Sequence, residues 1–176
     1  RNNLHGTFHG GQPLFVNDEQ FGKVLSLNGE GNAYISLPSE ALTDLESLSI
    51  SGWVYLRSDK RGQYFFDFGQ DAQTHFFVAP IGIADKGGFQ AAIATRAASA
   101  KAIAASDVAR NKWVHLTIVI DVPSKAMLAY ADGKPLGEVK EIPRELSAIF
   151  GAAGAKRQLN IGRSILPQGQ LLNALL

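Results

Sequence analysis

The chain has 176 residues, of which 45% are hydrophobic and 19% are charged, and it contains no cysteine. This composition is typical of one globular domain with a sizeable core, and it excludes a disulfide framework and thiolate chemistry. The formal net charge is +1 and no long basic run occurs, so phosphate-driven binding of nucleic acid has little support. No apolar stretch approaches about 18 residues, which excludes a transmembrane helix.

Short apolar runs separated by turn residues recur along the whole chain and predict an all-β fold. The predicted strands, in chain order, are Lys23–Asn28, Asn32–Leu37, Leu48–Leu56, Gln63–Gly69, His75–Ile81, Gly88–Thr95, Lys112–Asp121, Ala126–Ala131 and Gln158–Gly162. From Trp113 to Asp121 the even positions are all aliphatic and the odd positions are mixed, as in a strand with one buried face. Helical patterns between the strands are missing, which argues against a parallel α/β sheet.

Turn sequences follow several of these strands. Asp132–Gly133 suits the tip of a hairpin because both residues accept positive φ, and Gly29–Asn32 and Asp85–Gly88 are further turn sequences. Two short helical turns are predicted, one after an N-cap at Ser39 and one after Pro143.

The segment Ala91–Ala105 is more than half alanine, and helix propensity alone predicts a helix there. We predict two strands joined by a turn near Ala97–Ser99, because Ile93 and Ile103 suit strands and a sheet needs partners at this point. Small alanine side chains would also let another layer approach closely.

Six segments carry a pattern in a fixed order along residues 21–163. They are Phe21–Pro38, Leu48–Val54, Phe66–Gly69, Lys112–Leu116, Ala129–Lys134 and Leu159–Arg163. Their order resembles that of the laminin-G-like jelly-roll domains of the concanavalin A-like superfamily, in the bacterial branch. The resemblance implies a two-sheet antiparallel β-sandwich of jelly-roll type that forms one domain over residues 1–176.

Two terminal strands of the family have no counterpart in the sequence. Family members usually have one strand before the segment that matches Asn3–Gly11 and another after the segment that matches Gly169–Leu176. The two lie in the same sheet. We therefore expect a domain truncated at both ends from a larger protein, with a cut edge at Leu171–Leu176.

The resemblance also implies a function, which is a non-catalytic carbohydrate-binding or accessory module of a larger secreted polysaccharide-active bacterial protein. An extracellular or periplasmic location, a glycan ligand and a neighbouring catalytic domain follow from it. The alternative is protein–protein adhesion, or a purely structural sandwich that packs on a partner domain.

The residues themselves argue against an enzyme. Glucanases of the superfamily place carboxylates at alternate positions of one strand, where one attacks and another protonates the leaving group. Phe65 and Gly69 occupy the positions two residues away from Asp67, so that spacing is missing. His115 and Asp121 share a strand face but are about 20 Å apart along it, and no serine lies in a nucleophile elbow.

Sugar-binding modules stack aromatic rings on sugar rings and place polar groups beside them. Our candidate ligand-binding residues are loop residues that follow aromatic strands. The first choice is Tyr55, Arg57, Asp59 and Arg61; the second is Asp71, Gln73 and His75; the third is Arg96. Trp53 and Trp113 are interpreted as mainly structural. The glycan hypothesis requires at least one exposed aromatic residue in a groove with polar neighbours.

Calcium is an open alternative that no motif spacing requires, because it would need several oxygen ligands at one point. Asn28, Glu30, Asn32 and Asp18 lie in loops that would have to converge. The family's calcium site often draws on the terminal strands that the sequence lacks. His5 and His9 are interpreted as part of a flexible or edge segment, because a metal pair there would need two further ligands.

Overall fold

Alternating apolar and polar residues place one face of each long strand in a shared core, and the computed structural model shows two antiparallel sheets packed face to face. It describes residues 4–42, 45–83, 87–96, 98–152, 154 and 156–176. The strands are β1 (Thr7–His9), β2 (Leu14–Asp18), β3 (Gly22–Asn28), β4 (Tyr34–Leu37), β5 (Ser47–Leu56), β6 (Phe66–Asp71), β7 (Thr74–Ala79), β8 (Phe89–Thr95), β9 (Ala98–Ala105), β10 (Trp113–Asp121), β11 (Ala126–Ala131), β12 (Lys134–Lys140), β13 (Gln158–Ile161) and β14 (Asn173–Leu175). A 3-10 helix spans Ser39–Leu42 and a short helix, α1, spans Leu146–Phe150.

The described strands form two sheets. Sheet A has the order β1-β4-β13-β6-β7-β8-β9, and sheet B has the order β12-β11-β10-β5-β14-β3-β2. Neighbouring strands are antiparallel throughout. The predicted all-β, two-sheet sandwich is confirmed. No helix in the described ranges is long and apolar enough to cross a membrane.

The core lies between the sheets. On β10 the even-numbered residues Val114 and Leu116, with Ile118 and Ile120, are buried, and their neighbours on the outer face are half-buried. Phe66 and Phe76 of sheet A pack in the same cluster. Burial of one such side chain contributes about 1.5–3 kcal/mol, so each inward position of β10 adds to the driving force for folding.

The alanine-rich segment forms two strands, β8 and β9, as predicted. Their register places Ala91 opposite Ile103, and both side chains are buried. Burial of both isoleucines, Ile93 and Ile103, in the core outweighs the helix propensity of the alanines. The predicted turn between the strands includes Ala97, and the predicted turn at Asp85–Gly88 includes residues 85–86; both of these parts lie outside the described residues.

β2, β12 and β14 are not among the predicted strands, and β1 lies in the segment interpreted as flexible or edge. β14 lies within Leu171–Leu176, and the truncation expected there stays a prediction. The strand lies inside sheet B, where Ala174 pairs with Leu27 of β3 on one side and with Leu56 of β5 on the other. Leu172 and Ala174 are fully buried.

A slot in sheet B extends from the end of β14. β14 pairs with β5 only at Tyr55 and Leu56, so Ser49–Trp53 of β5 face Lys23 and Val24 of β3 across an opening. The opening has a volume of about 730 Å³. Core side chains, including Phe65, lie at its floor. No described strand of sheet B therefore covers this part of the core.

Arg57 ties β14 to its neighbours. Its Nε donates a hydrogen bond to Asn173 Oδ1 at 2.9 Å, and its Nη2 donates to the carbonyl oxygen of Leu27 at 2.7 Å. Burial of the guanidinium lowers the pKa of Arg57 from its ordinary value, although the group stays charged near neutral pH. The side chain therefore bridges β3 and β14.

We expect Arg57→Met to lower the free energy of unfolding by about 1–2 kcal/mol, because two charge-assisted hydrogen bonds are lost from a largely exposed site. The measurement is urea-induced unfolding. Arg110→Met is the matched control, because its exposed ion pair with Asp59, at 3.6 Å, contributes within about 0.5 kcal/mol. Equal effects of the two substitutions would contradict the role of Arg57.

Candidate functional site

The structure divides the predicted binding residues between the two ends of the sandwich. β6 and β8 run toward one end, called here the α1 end because α1 and the turn that follows β10 lie there. The opposite end is called the hairpin end, because the β11–β12 hairpin turns there. The first-choice residues lie toward this end: Tyr55, Arg57, Asp59 and Arg61. Asp71, Gln73 and Arg96 lie at the α1 end. The predicted residues therefore do not form one site.

At the hairpin end, the first-choice residues engage separate partners. Arg57 is bound to Asn173 and to the backbone of β3, and Asp59 lies 3.6 Å from Arg110. The guanidinium of Arg61 lies against Gly87, where an added Cβ would be 3.0 Å from its Nη2. A binding role for Asp59 and Arg61 stays a prediction, and Arg57 has a structural role.

His75 corrects the sequence prediction, because it is buried rather than exposed at a rim. Its Nδ1 lies 2.9 Å from Oδ1 of Asp67, and its ring packs on Phe77. Gly69 lies directly opposite His75 in the sheet, and a Cβ there would collide with the His75 backbone. The ring can reach Asp67 because position 69 has no side chain.

Asp67 is the centre of this buried network, and it is fully buried. Its Oδ2 accepts a hydrogen bond from Ser164 Oγ at 2.7 Å and another from the backbone N–H of Ile165 at 3.0 Å. With the contact from His75, both carboxylate oxygens are engaged. Burial and the Asp67 charge raise the pKa of the nearby Tyr64 hydroxyl, which is itself buried.

At the α1 end, the structure brings together residues that the sequence suggested only as separate choices. Arg96 donates hydrogen bonds to the Asp71 carboxylate and, at 2.7 Å, to Gln73 Oε1. The backbone N–H of Gln73, followed by the charge of Arg96, lowers the pKa of Asp71. Arg96 also lines a cleft of about 670 Å³. A binding role for Asp71 and Arg96 stays a prediction.

An aromatic surface covers part of the outer face of sheet B. Ring centroids are 4.9 Å apart for Phe21 and Trp53, 4.8 Å for Phe21 and Trp113, 5.7 Å for Tyr55 and Trp113, and 5.1 Å for Trp53 and His115. We call these five residues the Trp53 surface. Trp53 itself is 40% exposed, and its interpretation as mainly structural stays a prediction.

The sequence does contain a signal for the exposure of Trp53. Residues 47, 49 and 51 of β5 are exposed serines, and Trp53 follows at the next position of the same face. A strand face that is polar for three alternate positions is a solvated face. The period-two pattern therefore indicates an outward-facing tryptophan.

Trp113 is held in place by Asp18. Its Nε1 donates to Asp18 Oδ2 at 3.0 Å, while Asp18 Oδ1 accepts from the backbone N–H groups of Gln20 and Phe21. The indole hydrogen bond is the main cause that lowers the pKa of Asp18. These contacts fix the β2–β3 turn, and with it Phe21, against the aromatic surface.

The four residues considered as calcium ligands lie at different places along β3. Asp18 precedes β3, whereas Asn28, Glu30 and Asn32 lie at or beyond its other end, so the length of the strand separates them. The Asn28 side chain accepts a hydrogen bond from the N–H of Glu30. In the part of the chain that the structure describes, no group of three or more His, Asp or Glu side chains could hold a metal ion.

We expect Asp67→Ala to lower the free energy of unfolding by about 3–5 kcal/mol, because it leaves buried hydrogen-bond donors without an acceptor. Asp71→Ala is the control, because its partner Arg96 is exposed, and it should change stability by no more than about 1 kcal/mol. Urea-induced unfolding measures both. Equal losses would contradict a central role for Asp67.

Acid should weaken the fold through Asp18. A carboxyl group with a lowered pKa in the folded protein stabilises it above the unfolded pKa, about 3.9, and this stabilisation disappears as the pH falls through the lower folded value. Asp18→Asn should therefore show a smaller fall in melting temperature between pH 5 and pH 2 than the parent, to be read from tryptophan fluorescence. Glu19→Gln, at an exposed neighbour, is the control. An unchanged acid profile in Asp18→Asn would contradict the assignment.

Solved structures share this fold. Domain 4 of a GH43 extracellular arabinanase, AbnA, from Geobacillus stearothermophilus, in complex with arabinotriose, is 19% identical with a TM-score of 0.73, over 98% of this chain and 82% of that one. The LG4-5 domains of the mouse laminin alpha1 chain are 11% identical with a TM-score of 0.63, over 94% and 42%. The CBM40 of Ruminococcus gnavus IT-sialidase, bound to alpha2,3 sialyllactose, is 14% identical with a TM-score of 0.54, over 74% of both chains.

No curated protein sequence matches the chain. The family model described as the concanavalin A-like lectin/glucanases superfamily matches residues 28–176. Since this match covers most of the chain, and since the jelly-roll sheets agree with it, the protein belongs to the laminin-G-like family of that superfamily.

Proposed function

We propose that the protein is a non-catalytic carbohydrate-binding module and that the Trp53 surface is its contact with the glycan. The observation that carries the proposal is the 40% exposure of Trp53 beside a groove with polar neighbours. A large aromatic ring left in water costs free energy, and a pyranose or furanose ring can cover it with its C–H face.

The surroundings of Trp53 suit this role. Phe21 and His115 contact its ring and restrict its movement, so little conformational entropy is lost on binding. The exposed hydroxyl groups of Ser49 and Ser51 lie on the same face of β5, and Lys23 lies across the slot. These groups can exchange hydrogen bonds with sugar hydroxyls.

The proposed absence of catalysis rests on Asp67. Glycoside hydrolysis needs two accessible carboxyl groups on either side of the scissile bond. Asp67, the strand carboxylate in the most aromatic setting, is fully buried and engages His75, Ser164 and Ile165. It therefore cannot meet a substrate.

The fold neighbours support a module of this kind. One is a domain of an arabinanase in complex with arabinotriose, and another is the CBM40 of a sialidase bound to sialyllactose. By analogy, the proposal includes a larger secreted bacterial parent protein with a neighbouring catalytic domain, and an extracellular or periplasmic location.

A structural or adhesive role is the second candidate, and two observations favour it. Leu14 and Phe15, on the edge strand β2, are 55% and 47% exposed, and the slot beside Leu176 leaves strand edges unpaired inside sheet B. Exposed apolar residues at a sheet edge are typical of contacts with another protein.

Calorimetry with neutral arabino-, xylo- and gluco-oligosaccharides, with and without calcium, tests the glycan proposal. We expect one class to bind, and Trp53→Ala to weaken that binding by at least about tenfold, which corresponds to the loss of roughly 1.4 kcal/mol of stacking. Tyr130→Ala, on the same outer face but outside the Trp53 surface, is the matched control and should bind as the parent does. Binding that survives Trp53→Ala would contradict the role of the Trp53 surface, and no binding to any neutral glycan would favour the second candidate.

A further inference from the structure

The cleft at the α1 end has features that the Trp53 surface lacks. It lies between the turns of sheet A and the segment that follows β12, and its volume of about 670 Å³ falls in the usual range for small-ligand sites. Ile93, Ile142 and Pro143 provide an apolar lining. It shares no lining residue with the groove beside Trp53.

Positive charge is concentrated around this cleft. Four cationic side chains line it, namely Arg96, Lys101, Lys125 and Arg144, against the single carboxylate of Glu141. This contrasts with the chain as a whole, whose formal net charge is only +1. A concave surface lined by one sign of charge focuses the electric field and attracts ligands of the opposite sign.

Two of these cations have acidic partners and two do not. Arg96 pairs with Asp71, and Lys101 lies 3.5 Å from Glu141. No acidic side chain in the described ranges forms an ion pair with Lys125 or Arg144. Lys125 is half-buried, so its charge is less well hydrated than that of a surface lysine and gains more from an incoming anion.

The backbone at the rim of the cleft is strained. Five non-glycine residues in the described ranges have positive φ, and three of them are Asn or Asp, which tolerate that region. The other two, Lys125 at φ 51° and Glu141 at φ 59°, both line the cleft. A left-handed residue of this type is strained and persists where the surrounding structure holds it.

We propose that this cleft binds an anionic saccharide, through the unpaired cations Lys125 and Arg144. The anion would lie between their side chains, where the guanidinium can donate two parallel hydrogen bonds. The apolar lining would cover one face of the sugar ring, and Thr95 and Ser147, which also line the cleft, would bind its hydroxyl groups. A bare inorganic anion makes no use of the apolar lining, which is why the ligand is a saccharide.

This inference rests on the proposed function, because it names a glycan class for the same module, but it uses a different surface.

The test is calorimetry at low salt with three probes: a galacturonic acid trisaccharide, a sulfated trisaccharide and inorganic sulfate. A neutral galactose trisaccharide is the reference. We expect at least one acidic trisaccharide to bind more tightly than both the neutral trisaccharide and sulfate, with an affinity that falls as potassium chloride is added. Whichever acidic trisaccharide binds, the galacturonic acid or the sulfated one, identifies the anionic group.

Arg144→Gln and Lys125→Gln should each weaken this binding by about tenfold, since each removes one charge-assisted contact. Lys134→Gln removes an exposed cation at the hairpin end and should leave the affinity unchanged. Equal weakening by Lys134→Gln, binding of sulfate as tight as that of the trisaccharide, or full affinity in both cleft variants would overturn the proposal. Trp53→Ala should not affect this binding, so failure of the neutral-glycan proposal and failure of this one are distinguishable.

Discussion

The buried carboxylate of Asp67 is the constraint on which much of the architecture depends. A charge without solvent must have all its hydrogen bonds made, and these come from β7 and from the segment after β13. These hydrogen bonds hold Ser164 and Ile165 against β6. The segment after β13 therefore runs over the outer face of sheet A. Gly162 then bonds to Phe65 and to Leu172, which directs the chain into β14. A polar contact in one sheet thus positions a strand in the other.

The parts of the fold that could be predicted are those encoded locally. The alternation in Trp113–Asp121 depends only on side-chain period, and β10 agrees with it nearly residue for residue. β14 could not be predicted in the same way. It is three residues long, and its stability comes from Arg57 and from two distant strands rather than from its own pattern.

The candidate sites differ in the same way: some of their contacts follow from neighbouring turns, and others depend on which strands pair in the fold. Asp71, Gln73 and Arg96 follow neighbouring strands of sheet A, and their association is a matter of adjacent turns. The burial of His75 depends on its pairing with Gly69 and on the carboxylate of Asp67, eight residues earlier. Charge around the α1-end cleft comes from positions 96–144, so no stretch of sequence looks basic although the folded surface does.

The slot in sheet B gives β5 two different sides. Toward β10 its backbone is paired from Ser47 to Tyr55, whereas toward β3 the residues Ser49–Trp53 face the opening. In an antiparallel pairing successive N–H groups point to opposite sides of a strand. Every second amide along this stretch is therefore accessible to water although the strand lies in the middle of its sheet. Hydrogen exchange along β5 will alternate between slow and fast from one residue to the next, a profile ordinarily seen at the rim of a sheet.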